Sequence, residues 1–202
     1  MPDQDQGSIA EIRANGGILI GKTNTPEFGA GANTRNLVFG ATGNPFDPEM
    51  SCAGSSGGSA VSLATGMVPL ATGSDYGGSL RTPASFCGVV GFRPSPGVVP
   101  NELRSVGLNP FSVLGPMGRT VADAALLLSA MIDDDPRDPF GSGIDPELAE
   151  PLQPADLASL RVAISEDLGV APLDNDIREC FRRKTDTIRH IFTDAQDHDP
   201  PF

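Results

Sequence analysis

Two serine- and glycine-rich stretches decide the fold of this chain: GSSGGS at residues 54–59 and GSDYGGSLR at residues 73–81. Small and apolar residues between them suit one short helix and one short strand. A pair of glycines lets the backbone turn sharply, so that several N–H groups can point at one position. A serine hydroxyl that acts as a nucleophile needs such donors and a nearby proton acceptor. The pattern fits either a nucleophilic site or a flexible surface loop.

The composition limits the classes of function. The chain has 202 residues, of which 39% are hydrophobic and 20% charged, values typical of a globular protein with enough residues for a core. Its 26 acidic and 14 basic side chains give a net charge of −12, and most of the acids lie in the C-terminal half. A surface this negative argues against binding to nucleic acid or to an anionic membrane.

The cysteines and the first residues indicate the compartment. Cys52, Cys87 and Cys180 cannot all pair with one another and lack the spacing of metal ligands, so reduced thiols are the simplest interpretation. The polar, acidic start of the chain is unlike a signal peptide. No apolar run approaches the roughly 18 residues of a membrane span. We therefore expect a cytoplasmic protein without a membrane segment.

Apolar periodicity and turn-forming residues predict helices that alternate with short strands, which is an α/β layered fold. The predicted helices cover residues 9–15, 59–65, 80–86, 124–132 and 174–192, and the predicted strands cover residues 18–20, 68–72, 89–92 and 162–164. The stretch from Thr120 to Asp123 predicts a capping box in which Asp replaces the usual Glu. Residues 133–154 are acidic and rich in proline, and we expect them to form a surface loop.

A phosphate-binding pattern lies near the start of the chain. Residues 16–23, GGILIGKT, match G-x-x-x-x-G-K-[ST]. That loop requires a preceding strand, which residues 1–15 do not offer, and Pro26 follows where its helix should run. The apolar centre of the pattern suits a buried strand better than a loop. We therefore expect neither a bound nucleotide nor another cofactor.

The stretch GSDYGGSLRTPASFCGVVGFRP at residues 73–94, together with GSSGGSA, resembles the amidase signature family. GGILIGKTNTPEFG at residues 16–29 and FSVLGPMGRTVADAALLL at residues 111–128 are similar to the same family. The resemblance implies a partial amidase signature domain over residues 1–202, with its signature core at about 8–165 and the start of its C-terminal part at 166–202. The implied fold is α/β, with a central mixed β-sheet covered by helices.

The resemblance also implies roles for individual residues. Ser79 matches the nucleophile that forms the acyl-enzyme. Ser55 matches the serine that bridges the nucleophile to a lysine base, and in relatives this serine follows a cis peptide bond, here Gly54–Ser55. Asp75 and Arg81 are expected to hold the turn through hydrogen bonds. The amides that match the oxyanion hole are those of Tyr76, Gly77, Gly78 and Ser79.

The sequence departs from the family at the general base, which in the family is a lysine. The two lysines are Lys22 and Lys184, and the family lysine lies further upstream of Ser55 than this chain extends. Lys22 falls in a different family segment, and Lys184 is expected on a solvated helix face. The histidines, His190 and His198, lie in the acidic C-terminal part, and relatives use no Ser–His–Asp triad. We expect the middle part of an amidase, inactive or nearly so and poorly folded alone.

Three functions remain open at this level. The first is a general amidase that acts on a small-molecule carboxylic amide. The second is the glutaminase (the A subunit) of a tRNA-dependent amidotransferase, which shares the signature and requires partner subunits. The third is a non-catalytic remnant whose serine turns only bind a ligand. Residues 105–120, SVGLNPFSVLGPMGRT, are more similar to stand-alone amidases. The amide substrate stays open, as does assembly into a homo-oligomer.

Overall fold

A computed structural model describes residues 3–104, 106–141, 143–145 and 152–201 of the chain. The chain divides into two compact units, Met1–Leu152 and Gln153–Phe202. No helix among the described residues is long and apolar enough to cross a membrane. Within the predicted acidic loop, residues 142 and 146–151 lie outside the described part.

The first unit contains a three-stranded antiparallel sheet with helices packed against it. Its elements in chain order are α1 (Gly7–Ala14), β1 (Arg35–Asn36), β2 (Gly40–Ala41), α2 (Gly57–Ala64), β3 (Leu70–Asp75), α3 (Arg81–Cys87), β4 (Val90–Gly91), β5 (Val113–Gly118) and α4 (Val121–Ser129). Strand β5 is central and pairs with β3 on one side and β4 on the other. Strands β1 and β2 form a separate antiparallel pair.

Two apolar clusters form the core of this unit. In the first, Leu63 of α2, Leu80 and Met117 of β5 are fully buried, so that α2 and α3 are fixed to the sheet. In the second, Leu127 of α4 packs with Ile12 of α1. The burial of apolar side chains from helices and sheet alike is the main favourable contribution to folding.

The second unit contains a strand, a helix and a strand. Strands β6 (Arg161–Ile164) and β7 (Asp194–Asp197) pair in parallel, and helix α5 (Asn175–Ile188) connects them. The Asp174 side chain accepts a hydrogen bond from the amide of Asp176 and so caps α5. A 3₁₀ turn replaces the last part of the helix predicted to reach residue 192.

The predicted α/β class is confirmed, with both antiparallel and parallel strand pairs. The capping box is also confirmed, because Thr120 and Asp123 each accept a hydrogen bond from the other's amide, at 3.1 and 3.0 Å. The buried strand predicted at residues 18–20 is wrong: this segment is not a strand, and Ile18 and Ile20 are 88% and 73% exposed. An apolar run alone does not specify a pairing partner.

The acidic loop is only partly a surface loop. Asp135 and Asp138 are buried. Asp138 accepts hydrogen bonds from the guanidinium of Arg104 at two 3.0 Å contacts and from the amide of Asn101 at 2.9 Å. A buried carboxylate requires such partners, and they tie this part of the loop to the 101–104 segment.

Leu80 fits into space left by three glycines, one on each strand of the sheet. A Cβ at Gly73 of β3 would lie 2.7 Å from one Leu80 methyl group, and a Cβ at Gly115 of β5 would lie 2.8 Å from the other. A Cβ at Gly91 of β4 would lie 2.4 Å from the Leu80 carbonyl oxygen. Leu80, the residue after Ser79, is therefore held in the sheet by close contacts. A side chain in place of any of the three glycines would disturb them.

The substitution Gly115→Ala should lower the free energy of unfolding by about 1–3 kcal/mol, because overpacking forces the surroundings to shift. Its new methyl group would meet the Phe92 carbonyl oxygen as well as Leu80. Gly107→Ala is the matched control, since nothing lies within 4 Å of its Cβ position. Urea unfolding measures both, and equal stability of the two variants would contradict the close packing.

Candidate active site

The two serine stretches meet at the end of β3. The Ser56 amide donates a hydrogen bond to the Ser79 carbonyl oxygen at 3.2 Å. The Ser56 hydroxyl donates to the Ser74 carbonyl and accepts from the Ser74 amide, both at 3.2 Å. Ser56 therefore joins the start of α2 to the strand that leads into the Ser79 turn.

Ser55 and Ser79 differ from the neighbouring serines in their hydrogen bonding. The hydroxyls of Ser56, Ser59 and Ser62 donate to carbonyl oxygens at 3.2, 2.9 and 2.8 Å. The hydroxyls of Ser55 and Ser79 make no hydrogen bond to another described residue. Ser55 is 4% exposed and Ser79 is half-buried. Neither hydroxyl is committed to the fold, and the two are not hydrogen-bonded to each other.

The peptide bond between Gly54 and Ser55 is cis, as the family resemblance implies. Close packing surrounds Gly54, whose Cβ position lies 3.1 Å from the backbone of Asn33. The Thr34 hydroxyl donates to the Ala53 carbonyl oxygen at 2.8 Å. These contacts fix the backbone on the N-terminal side of Ser55.

The Ser79 turn carries N–H groups that the fold leaves unused. Among the described residues, no acceptor binds the amides of Tyr76, Gly77 or Ser79. Gly78 differs, because its amide donates to the Asp75 carboxylate at 2.8 Å. The expectation that all four amides serve an oxyanion therefore needs one correction: the Gly78 amide is engaged, and its φ of 127° shapes the turn.

The Asp75 side chain holds this turn through hydrogen bonds. Its side chain is fully buried and accepts hydrogen bonds from the amides of Gly78 and Leu80. The Arg81 guanidinium donates to both carboxylate oxygens at 3.0 and 3.1 Å, and Arg93 adds a third contact at 3.0 Å. The predicted structural role of Asp75 and Arg81 is confirmed.

Two opposing effects set the pKa of Asp75. Burial alone would raise the pKa, because it penalises the charged form. The hydrogen bonds from Arg81, Gly78 and Leu80 and the charge of Arg81 outweigh burial, so the pKa lies below its ordinary value. At neutral pH Asp75 is therefore an anion that orients the turn, and its lowered pKa makes it unsuited to accept the nucleophile's proton.

Arg93 is the residue of this site that sequence reasoning missed. Its Nη1 atom donates to the Asp75 carbonyl oxygen at 2.5 Å and to the Phe111 carbonyl oxygen at 3.0 Å. It thereby joins the Ser79 turn to the segment that leads into β5. A single arginine within an FRP sequence carries no local signal of this role.

The lysines and histidines are exposed within their own units. Lys22 is exposed in the first unit, and Lys184, His190 and His198 are exposed in the second. A lysine that acts as a general base needs a buried site, which neither lysine has. The exposure of Lys184 fits the solvated helix face predicted for it. No cluster of His, Cys, Asp or Glu in the described part of the chain suits a metal ion.

The two buried cysteines near the serine stretches, Cys52 and Cys87, are unsuited to act as the nucleophile. All three cysteines are free, as predicted, and Cys52 and Cys87 are buried. Burial, with a smaller contribution from Cys52, raises the pKa of Cys87 to about 11. Burial likewise raises the pKa of Cys52. Since the thiolate is the reactive form, the free serine hydroxyls remain the nucleophile candidates of this region.

A family model described as Amidase matches residues 1–201 of the chain. The chain belongs to the amidase family. It is 38% identical over 196 residues to the A subunit of the Thermus thermophilus glutamyl-tRNA(Gln) amidotransferase, an alignment that covers 95% of this chain and 42% of the relative. The sequence-based family resemblance is therefore confirmed.

Solved structures of the family share the fold. A bacterial aryl acylamidase of the amidase signature family superimposes with a TM-score of 0.84 at 31% identity, covering 96% of this chain and 40% of that one. The A subunit of the Thermotoga maritima glutamyl-tRNA(Gln) amidotransferase gives a TM-score of 0.80 at 29% identity, covering 98% and 44%. The chain thus spans less than half of each protein.

Asp75→Asn should lower the free energy of unfolding at pH 7 by about 3 kcal/mol, because it removes the buried charge that pairs with two arginines. The pKa of Asp75 is lowered in the folded protein, so its stabilising effect is complete above the unfolded pKa of about 3.9 and disappears as pH falls through the folded value. The difference between parent and variant should therefore shrink below about pH 4.

Urea unfolding at a series of pH values measures this difference. Asp47→Asn is the control, since Asp47 is exposed and its replacement should change stability little at any pH. A constant difference for Asp75→Asn from pH 7 to pH 3 would show that the carboxylate charge does not hold the turn.

Proposed function

We propose that the protein is an amidase that hydrolyses a small-molecule carboxylic amide through an acyl-enzyme on Ser79. The observation that carries the proposal is the free Ser79 hydroxyl on a turn whose Tyr76, Gly77 and Ser79 amides have no acceptor among the described residues. Membership of the amidase family supports the same chemistry. Because the chain spans less than half the length of its relatives, amide hydrolysis by this protein is itself part of the proposal.

In the proposed reaction, the Ser79 oxygen attacks the amide carbonyl carbon while Ser55 accepts the Ser79 proton and passes its own to a base. The carbonyl oxygen becomes negatively charged and binds the free N–H groups of the turn. The proton then returns to the amide nitrogen, the C–N bond breaks and the amine or ammonia leaves. Water attacks the resulting ester, releases the acid and restores the Ser79 hydroxyl.

Each part of the turn has a separate task in this proposal. The amides of Tyr76, Gly77 and Ser79 stabilise the oxyanion, and loss of one such donor typically slows a reaction by about 10²–10³-fold. Gly78 and Asp75 keep those amides in place. The base is the lysine that the family resemblance implies, and neither Lys22 nor Lys184 fits it because both are exposed.

We further propose that residues 1–202 are parts of one amidase domain, which the family match over residues 1–201 supports. The three free cysteines fit a reducing, cytoplasmic location. Assembly into a homo-oligomer stays a prediction.

In a protein that also supplies the lysine base, Ser79→Ala should reduce amide hydrolysis by about 10⁴-fold or more, because it removes the nucleophile. Ser55→Ala should reduce it by about 10²–10⁴-fold, the usual contribution of a proton-transfer group. Ser62→Ala is the control, since the Ser62 hydroxyl only donates to the Ser59 carbonyl within α2. Release of ammonia from simple aliphatic and aryl amides measures the rates.

Covalent labelling tests the nucleophile without a known substrate. A fluorophosphonate should label Ser79 in the protein and should not label the Ser79→Ala variant. Hydrolysis that persists in Ser79→Ala would refute the proposal. With the lysine base present, absence of both hydrolysis and labelling would instead support the third hypothesis, a non-catalytic remnant.

A second candidate is the glutaminase, the A subunit, of a tRNA-dependent amidotransferase. The Thermus thermophilus relative, 38% identical, is the A subunit of a glutamyl-tRNA(Gln) amidotransferase, and its Thermotoga maritima counterpart shares the fold. In this case glutamine is the substrate and the chain acts with partner subunits. The proposed Ser79 chemistry is common to both candidates, so substrate and partner dependence must separate them.

A stand-alone amidase should hydrolyse simple amides at a rate that partner subunits and charged tRNA leave unchanged. A glutaminase that belongs to an amidotransferase should hydrolyse glutamine in preference to those amides, with stimulation by partner subunits and charged tRNA. Assays with and without these additions measure the difference. Stimulation of glutamine hydrolysis by about tenfold or more would replace the first candidate with the second.

A further inference from the structure

Two exposed aromatic rings lie beside the Ser79 turn. Tyr76 follows the last residue of β3, and Phe111 lies two residues before β5, at the end of the sheet where Asp75 pairs with Val113. The ring centroids are 5.8 Å apart with an interplanar angle of 63°, an edge-to-face pair. The two side chains are nonetheless 60% and 56% exposed. Most of their aromatic surface is therefore uncovered.

Hydrogen bonds fix the position of this pair relative to the turn. Arg93 joins the Phe111 carbonyl to the Asp75 carbonyl and carboxylate. The Asn109 side-chain amide donates to the Tyr76 hydroxyl at 3.3 Å, and the Asn109 Oδ1 atom accepts from the Phe111 amide at 2.8 Å. Both rings are thus tied to the element that orients Ser79.

A buried ion pair supports the segment that carries Phe111. Arg104 and Asp138 form a salt bridge at 3.0 Å, with side chains only 3% and 0% exposed. Arg104 also donates to the carbonyl oxygens of Asn109, at 3.4 Å, and of Ser112. The backbone on either side of Phe111 is therefore held by one arginine.

We propose that the amide substrates of this protein carry an aromatic ring that packs against Tyr76 and Phe111. The inference rests on the proposed function and names the substrate class of that site. Tyr76 supplies a free N–H for the oxyanion and an exposed ring from the same residue, so the ring is held close to the carbonyl under attack. Aromatic rings prefer edge-to-face or offset contacts at 4.5–7 Å, and this pair offers both a face and an edge.

Replacing the Phe111 ring should lower the preference for an aromatic substrate. The measured quantity is the ratio of kcat/KM for benzamide to that for cyclohexanecarboxamide, which has similar size but no aromatic ring. Phe111→Leu and Tyr76→Leu should each reduce this ratio by about tenfold, because each removes an aromatic contact and keeps apolar volume. Tyr76→Phe should retain the ratio, since it keeps the ring.

Phe46→Ala is the control, because Phe46 is 77% exposed and lies outside the Tyr76–Phe111 pair. It should leave the ratio unchanged. Acetanilide, compared with its cyclohexyl analogue, places the ring on the amine side of the bond. If the kcat/KM ratio of either substrate pair depends on Phe111 and Tyr76, the result supports the proposal. The pair that responds identifies the side of the amide bond on which the ring binds. If neither ratio changes in Phe111→Leu or Tyr76→Leu, the proposal is overturned.

Tyrosine fluorescence provides a measurement that does not require turnover. Tyr76 is the single tyrosine, and the chain has no tryptophan, so the emission reports this ring alone. In Ser79→Ala, benzamide or acetanilide should change the emission in a saturable manner, and Phe111→Leu in that background should weaken the apparent affinity about tenfold. The cyclohexyl analogues should bind at least about tenfold more weakly.

The outcomes separate this inference from the proposed function. Hydrolysis that does not depend on Ser79 refutes the proposed function, whatever the fluorescence shows. Ser79-dependent hydrolysis without an effect of Phe111→Leu or Tyr76→Leu on the substrate ratios refutes only the aromatic subsite. If hydrolysis is undetectable, the titration decides, and the absence of a saturable change with both aromatic amides overturns the inference.

Discussion

The buried carboxylate of Asp75 is the interaction on which the site depends. It binds the amides of Gly78 and Leu80 and the guanidinium groups of Arg81 and Arg93. A buried anion is stable only when hydrogen bonds and opposite charge replace its hydration. Each partner therefore has one favourable position, and that requirement fixes the turn, the start of α3 and the approach to β5 together.

Close packing adds a second constraint on the same turn. Leu80 occupies the space that glycines leave on all three strands of the sheet, while Ser56 joins α2 to β3 and to the Ser79 carbonyl. Both serine stretches are thus attached to the core on one side. The Ser55 and Ser79 hydroxyls and the amides of Tyr76, Gly77 and Ser79 have no partner among the described residues, and these are the groups proposed to act on the substrate.

Local signals in the sequence predicted the parts of the fold that depend on neighbours in the chain. The α4 capping box and the helices after both glycine pairs formed near their predicted positions. Strand β5 was not predicted, because Gly115 and Pro116 are poor strand residues. The close approach of Leu80 and Phe92 explains the glycine at position 115. The family resemblance implied the roles of the serines and of the turn, and those roles stay predictions. Arg93 and Phe111 make contacts with residues distant in sequence, which no local pattern encodes.

The buried cysteines have a practical consequence. Cys52 precedes Ser55 by three positions, and Cys87 ends the helix that follows Ser79, while both thiols belong to the same core cluster. Cys180 lies in the second unit and is only half-buried. A thiol reagent should therefore reach Cys180 readily but the other two only through transient opening of the core. The rate at which Cys52 and Cys87 are modified therefore measures how often the core next to Ser55 and Ser79 opens.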